Sequence, residues 1–212
     1  MDTITAEEVI KELNNLFPQP TCELEYKNPY ELLVAVILSA QCTDKRVNLV
    51  TKELFKTYNT PQKMLTLTQE ELEDKIHSCG FYHNKAKNIL SMSKNLIENF
   101  GGEVPEDLEK LQTLAGVGRK TANVVFSEAF KGNAIAVDTH VLRVTNRLGF
   151  VKTDNPYKCE LALMNKFKKE DWGKLHLQLV HFGRYICKAI KPNCPVCPFT
   201  RYCDYYAAHN TK

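Results

Sequence analysis

The chain has 212 residues, enough to bury the core of one large or two small domains. Its formal net charge of +3 neither demands nor excludes a nucleic-acid partner. Hydrophobic residues make up 43% of it, yet the longest apolar run, Leu32 to Leu38, is far too short to cross a bilayer, so no membrane association is expected. The N-terminus, MDTITAEEVIKEL, is acidic and helical in pattern, with neither a cationic nor an apolar leader; this predicts a cytoplasmic protein, nucleoid-associated if prokaryotic.

Helical patterns follow one another along the chain. Thr5 and Glu8 have the spacing of a capping box, predicting a helix to about Leu16 that Pro18 and Pro20 end. Asn28-Pro29 opens the next, with proline at the tolerated first position, and residues 30–40 are apolar nearly all round, as in a buried central helix. Thr43 can cap a helix through Val47, Val50 and Leu54. Further starts stand at Thr60-Pro61, at Thr68 and near Tyr82; the last runs to Phe100 and stops at Gly101-Gly102. Val104-Pro105-Glu106-Asp107 opens a helix leading into Leu114-Ala115-Gly116-Val117-Gly118. Later helices are expected near residues 139–148, 155–168 and 171–190, the last carrying Leu175, Leu179, Phe182 and Ile186 on one face. No stretch alternates over five or more residues, so the fold class is all-α.

The segment 111–138 concentrates the chemistry. Gly116 and Gly118 allow a tight hairpin, and a new helix starts near Arg119. Hairpin amides and the N–H groups of that helix then face one place and make an anion site suited to phosphate. Lys120 lies in the first helical turn; Asp138 follows the apolar run Ala134 to Val137 and opens Asp138-Thr139-His140. A lysine in water carries a neutral, nucleophilic amine only about once in a few thousand molecules at pH 7. The lysine therefore needs either desolvation by a ligand or a carboxylate that takes its proton. From these residues alone a phosphate-binding lysine and a helix-capping aspartate stand beside the catalytic reading.

Cys187, Cys194, Cys197 and Cys203 form a C-x6-C-x2-C-x5-C pattern. Four thiolates on one short loop suit a metal centre, and disulfides do not suit a cytoplasmic chain. Donor chemistry leaves a structural zinc beside an iron–sulfur cluster. Cys22, Cys42, Cys79 and Cys159 lie apart in sequence and read as small buried apolar residues.

Together these motifs resemble the helix-hairpin-helix DNA glycosylases, and within them the endonuclease III family, from about Pro29 to Cys203. The family pattern L-P-G-V-G-R-K-T-A, followed by V-D-T-H, stands here as Leu114-Ala115-Gly116-Val117-Gly118-Arg119-Lys120-Thr121-Ala122 and Val137-Asp138-Thr139-His140, with Ala115 in place of the usual proline. Leu38-Ser39-Ala40-Gln41-Cys42-Thr43-Asp44 matches L-S-A-Q-x-T-D, and Gly80-Phe81-Tyr82 matches G-[LF]-Y.

The resemblance implies two helical domains with DNA bound in the cleft between them. One is a six-helix domain over 22–132 containing the hairpin; the other is a discontinuous iron–sulfur domain from 1–21 plus 133–212. It implies a [4Fe–4S] cluster on Cys187, Cys194, Cys197 and Cys203. The implied activity is a bifunctional DNA glycosylase/AP lyase that removes oxidised pyrimidines through a Schiff base on Lys120, with Asp138 handling the proton, and cleaves 3′ to the abasic site by β-elimination. The implied partner is double-stranded DNA with damaged pyrimidines or abasic sites, bound by a monomer. Gln41 would fill the space of the extruded base and Phe81 would wedge beside its partner. Gly116, Gly118, Arg119 and Lys191 would contact the backbone, with His140 and Arg143 as further candidates.

Three other readings compete. An adenine glycosylase acting opposite oxidised guanine shares hairpin and cluster but typically lacks the lysine present here as Lys120. A non-enzymatic DNA-binding module would use the metal loop only to hold its fold. A ferredoxin-like electron carrier is disfavoured by the lack of a second cluster motif.

Overall fold

The computed structural model describes residues 4–210, and among these every regular element is helical. The chain divides into two compact units. One is Cys22–Gly132; the other joins the residues up to Thr21 to those from Asn133 onward. The chain begins with α1 (Ala6–Leu16) in the latter. Its start is the capping box of the sequence: Glu8 N–H donates to Thr5 Oγ1 at 3.2 Å and Thr5 N–H to Glu8 Oε2 at 2.9 Å.

The unit Cys22–Gly132 contains α2 (Pro29–Leu38), α3 (Asp44–Leu54), α4 (Pro61–Met64), α5 (Gln69–Ile76), α6 (Tyr82–Phe100), α7 (Leu108–Gln112) and α8 (Arg119–Phe130). The axis is α2, in which every residue from Tyr30 to Leu38 is buried. Such burial requires apolar residues all round, and α3, α6 and α8 pack against it. Its two polar groups have partners: the Tyr30 hydroxyl and Ser93 Oγ lie 2.7 Å apart, and Glu31 Oε2 accepts from Lys27 N–H at 2.7 Å. α2 stops at Leu38, two residues short of the expected end. There Ser39 Oγ donates back to Val36 O at 2.8 Å, and Gln41 turns into the left-handed region at φ 53°.

The other unit holds α1 with α9 (Thr139–Arg147), α10 (Pro156–Lys166), α11 (Trp172–Tyr185) and α12 (Asp204–Asn210). Val9 and Leu13 of α1 enter one core with Leu175, Leu179 and Phe182 of α11. Gln178 Nε2 donates to Asn14 Oδ1 at 3.0 Å and to Phe17 O at 2.9 Å, tying the N-terminal helix to α11. α11 ends at Tyr185, five residues before the expected 190. Cys187 N–H closes on Phe182 O at 2.7 Å, and two arginines of α9 take carbonyls at this end, so the helix cannot continue. The sequence did not mark α12. Among the described residues no helix is long and apolar enough to cross a membrane.

Candidate nucleic-acid interface and metal centre

The hairpin joins α7 to α8. Leu114 and Val117 are buried and anchor it, while Gly116, Gly118, Arg119 and Lys120 face solvent. Val117 N–H donates to Leu114 O at 3.1 Å, closing the turn. Gly118 caps α8 and no side chain makes a capping hydrogen bond to its first turn, so its N–H groups can take an anion at the positive end of the helix. Gly116 has φ +77°, and a Cβ there would lie 2.9 Å from Asn88 Cβ. Gly116→Ala should therefore lose about 1–3 kcal/mol of stability and bind DNA more weakly. Urea unfolding and titration of an abasic-analogue duplex check this; unchanged midpoint and affinity would mean that the hairpin tolerates a side chain.

Lys120 stands exposed at the second position of α8, in the unit Cys22–Gly132. Asp138 belongs to the other unit, where Ile135 and Val137 are buried just ahead of it. It is the N-cap of α9: its Oδ1 accepts from Val141 N–H at 2.8 Å. The capping reading of Asp138 thus describes part of what the residue does.

His140 is half-buried in the first turn of α9. α11 comes so close that a Cβ on Gly183 would be 2.8 Å from His140 Cβ, which only glycine permits. Burial lowers the His140 pKa most; Asp138 opposes this, while Arg143 and Arg184 reinforce it. The folded chain thus takes up this proton at lower pH than the unfolded chain. The resulting stability is present above about pH 6.5 and is lost as pH falls below it toward the folded value. Replacing His140 by Gln should flatten the fall in urea midpoint between about pH 7 and about pH 5. An unchanged fall would assign the acid sensitivity to other groups.

Arg143 turns inward. Its Nε donates to Cys187 O at 3.1 Å and its Nη2 to Gly183 O at 2.8 Å, so it holds the carbonyl end of α11 rather than reaching out as a phosphate contact does. Arg147, not singled out in the sequence, continues this one turn on. It donates to Lys188 O at 2.7 Å and Ala189 O at 3.0 Å, and it lies 3.6 Å from Cys187 Sγ. Its spacing of four from Arg143 was the available signal.

Two further turns project polar or aromatic groups from the unit Cys22–Gly132. Gln41 is exposed with φ 53°, and Phe81 is 65% exposed with φ 48°. A phenylalanine with that exposure and backbone is no core residue; left-handed backbone at a bulky residue is strained and marks sites of function. Lys85, also missed in the sequence, underlies both turns. Its buried ammonium donates to Leu38 O at 2.8 Å and Cys79 O at 2.9 Å. A lysine one turn into a helix reads as solvated unless the tertiary fold is known.

Cys187, Cys194, Cys197 and Cys203 line one pocket; Leu148, Phe182, Ile186 and Pro192 complete its walls. All four are free thiols. Burial pushes the Cys197 thiol up to about 11, a backbone hydrogen bond at Phe199 opposes this, and the three other thiols add to the rise. Tyr206 N–H donates to Cys203 Sγ at 3.4 Å. No three His, Cys, Asp or Glu side chains among the described residues stand close enough to hold a single ion. Lys188, Lys191 and Arg201 lie exposed around the loop, Lys191 with φ 51°.

Comparison with known proteins gives a consistent result. The model of the HhH-GPD superfamily of base excision DNA repair proteins matches residues 34–169. An endonuclease III of Bacillus subtilis (strain 168) is 53% identical over 195 residues, covering 92% of this chain and 89% of that protein. A trapped endonuclease III–DNA covalent intermediate superimposes with a TM-score of 0.93 at 48% identity, covering 98% of this chain and 99% of that one. A non-covalent endonuclease III–DNA complex gives a TM-score of 0.94 at 48% identity, covering 99% and 100%.

Proposed function

Since the chain belongs to the HhH-GPD superfamily, and within it to the endonuclease III family, we propose which of its residues carry out each step of the family's chemistry. The protein is a DNA glycosylase and AP lyase of base excision repair. Its substrate is double-stranded DNA, and oxidised pyrimidines and abasic sites are the lesions we assign to it.

The observation that carries the reading is the exposed Lys120 two residues past the Gly118 that closes the hairpin and caps α8. The amides of Gly116 and Gly118 and the start of α8 take a phosphate, with Arg119 and Lys191 as further donors. This brings the amine to the sugar of an extruded nucleotide. Closure of the site around that nucleotide desolvates the amine and favours its neutral form. The amine attacks C1′ and the base leaves. Asp138 takes the proton and stabilises positive charge developing on the ring. The imine that forms acidifies the C2′ proton, and its removal expels the 3′ phosphate by β-elimination. Gln41 fills the vacated stack and Phe81 wedges beside the estranged base. Arg143 and His140 serve by holding α9 against α11.

The four-cysteine pocket fits a [4Fe–4S] cluster. Four thiols line it, yet no three of them stand close enough to hold one ion, whereas a single zinc needs four sulfurs drawn to about 2.3 Å from one point. When bound, such a group would supply a covalent cross-link of the loop. Cys187, Cys194, Cys197 and Cys203 would hold it, and the loop so fixed presents Lys188, Lys191 and Arg201 to phosphates. The test is incubation with a thymine-glycol duplex and an abasic duplex, with and without borohydride. Covalent trapping on both is expected; binding without nicking or trapping would leave a DNA-binding module.

A further inference from the structure

Lys85 joins the two turns that project Gln41 and Phe81. It lies one turn into α6, in the same compact unit as both turns, and is 5% exposed. Its Nζ donates to Leu38 O at 2.8 Å and to Cys79 O at 2.9 Å. Its backbone N–H donates to Phe81 O at 3.2 Å. Leu38 is the last residue of α2, three before Gln41; Cys79 ends a short 3-10 turn (His77–Cys79), two before Phe81. One residue thus bonds both segments, although Gln41 and Phe81 stand 40 residues apart in the chain (81 − 41).

These bonds stand where the backbone gives up its own. In a continuing helix the Cys42 N–H would reach Leu38 O; here it donates to Ser39 O at 3.1 Å, and Gln41 enters the left-handed region at φ 53°. Phe81 does the same at φ 48°. Left-handed backbone at residues with side chains is strained and persists where its surroundings over-determine it. Among the described residues no carboxylate forms an ion pair with Lys85. A cation is costly to bury, and packing alone would be served by an apolar side chain. What the ammonium adds is donors for the carbonyls of two residues, Leu38 and Cys79, that are 0% and 2% exposed.

We propose that Lys85 is a positioning residue for lesion extrusion: its ammonium holds the Gln41 and Phe81 turns in one fixed relation, so that the two side chains enter the duplex together. The inference rests on the reading that Gln41 fills the vacated stack and Phe81 wedges beside the estranged base. Lys85 touches no reacting atom. Without its bonds the two turns move independently, insertion by one no longer places the other, and the opened duplex is less populated. The loss therefore falls on steps that need an opened duplex and spares chemistry on a strand without a partner.

The test compares wild type, Lys85→Met, Lys85→Gln, Gln41→Ala/Phe81→Ala and the triple variant that adds Lys85→Met, all with the metal centre loaded. Without DNA, amide exchange in Lys85→Met should quicken in peptides over 38–43 and 79–85 and not elsewhere. Single-turnover excision of thymine glycol from a duplex should slow about 10- to 100-fold, and the fluorescence rise of 2-aminopurine opposite the lesion should be lost with it. Cleavage of a single-stranded abasic oligonucleotide should stay within about twofold of wild type, which a general loss of structure would not spare. Lys85→Gln keeps two N–H donors on a side chain of nearly the same length and should lie between; it carries the same comparison if Lys85→Met fails to fold. In the Gln41→Ala/Phe81→Ala background, adding Lys85→Met should cost less than about twofold more. Wild-type excision by Lys85→Met beside an impaired Gln41→Ala/Phe81→Ala overturns the positioning role alone. Unchanged exchange in the two turns, an equal loss on the single strand, or a full further loss in the triple variant overturns it too. Wild-type excision by Gln41→Ala/Phe81→Ala instead overturns the reading of those two residues, and the route proposed for Lys85 with it.

Discussion

Lys120→Ala is expected to fold, to bind an abasic duplex, and to form no borohydride-stable adduct, with cleavage reduced on the order of ten-thousand-fold. Folding should survive because Lys120 is exposed and alanine suits the second position of α8; exposed substitutions of this kind shift stability by about 0.5 kcal/mol or less. Binding should survive because Gly116, Gly118 and the start of α8 remain. What disappears is the amine that becomes the imine nitrogen, and no neighbour on α8 replaces it at the same position. The companion variant is Asp138→Asn. Asparagine is as good an N-cap as aspartate, so Val141 N–H keeps its acceptor and α9 its start. The carboxylate is lost, and with it about 100- to 10,000-fold of the rate. The pair therefore separates capping from chemistry at Asp138 and phosphate binding from chemistry at Lys120. An adduct that still traps in Lys120→Ala, or an Asp138→Asn rate like that of wild type, would reduce both residues to their structural roles. Single-turnover cleavage and gel analysis of the trapped complex read both.

The second large effect concerns the cysteine loop. Cys197→Ala should lose iron and sulfide, lose the visible absorption of the cluster, and destabilise the unit that holds α9–α12. The expected loss is on the order of 5 kcal/mol, since structural metal sites in small domains supply about 10–16 kcal/mol. Little else holds this segment's middle: from Cys187 to Cys203 the chain is two short 3-10 turns and loop, with Phe199 its one buried hydrophobic anchor apart from the cysteines and the arginine bonds confined to its start at Cys187, Lys188 and Ala189 and to Cys203. Without a centre, burial first, and then the like charges of Cys203, Cys187 and Cys194, oppose ionisation of Cys197, so metal loading must displace protons and should weaken as pH falls. DNA affinity should drop with the metal, because Lys188 and Lys191 then lose their fixed positions. Iron analysis, visible spectra and urea unfolding of Cys197→Ala check this. Full iron content with normal unfolding would remove Cys197 from the ligand set, and a colourless wild type rich in zinc would replace the cluster by a single ion.

Helix starts were legible because capping is a contact between residues three apart. Thr5 with Glu8, Asn28 with Glu31, Thr43 with Arg46 and Thr68 with Glu71 all make the bond their spacing allows. The hairpin was legible for a similar reason: glycine at 116 answers a local backbone demand. The family motifs marked Lys120, Asp138 and the four cysteines, and the comparisons tie the chain to the same family.

Whatever depends on distant parts of the chain was decided only by the tertiary structure. α11 stops at Tyr185 where Arg143, forty residues before Gly183, takes Gly183 O and Arg147 takes the carbonyls of Lys188 and Ala189 just beyond, and these contacts turn Arg143 away from solvent. Hydropathy alone reads Phe81 as core and the family motif reads it as a wedge; only the fold shows it 65% exposed, with left-handed backbone. Lys85 reads as solvated, yet it fills a gap between two turns and satisfies two buried carbonyls. Local bonds are written in neighbouring residues, whereas burial and long-range contact belong to the closed chain, where each group's surroundings come from residues it does not adjoin.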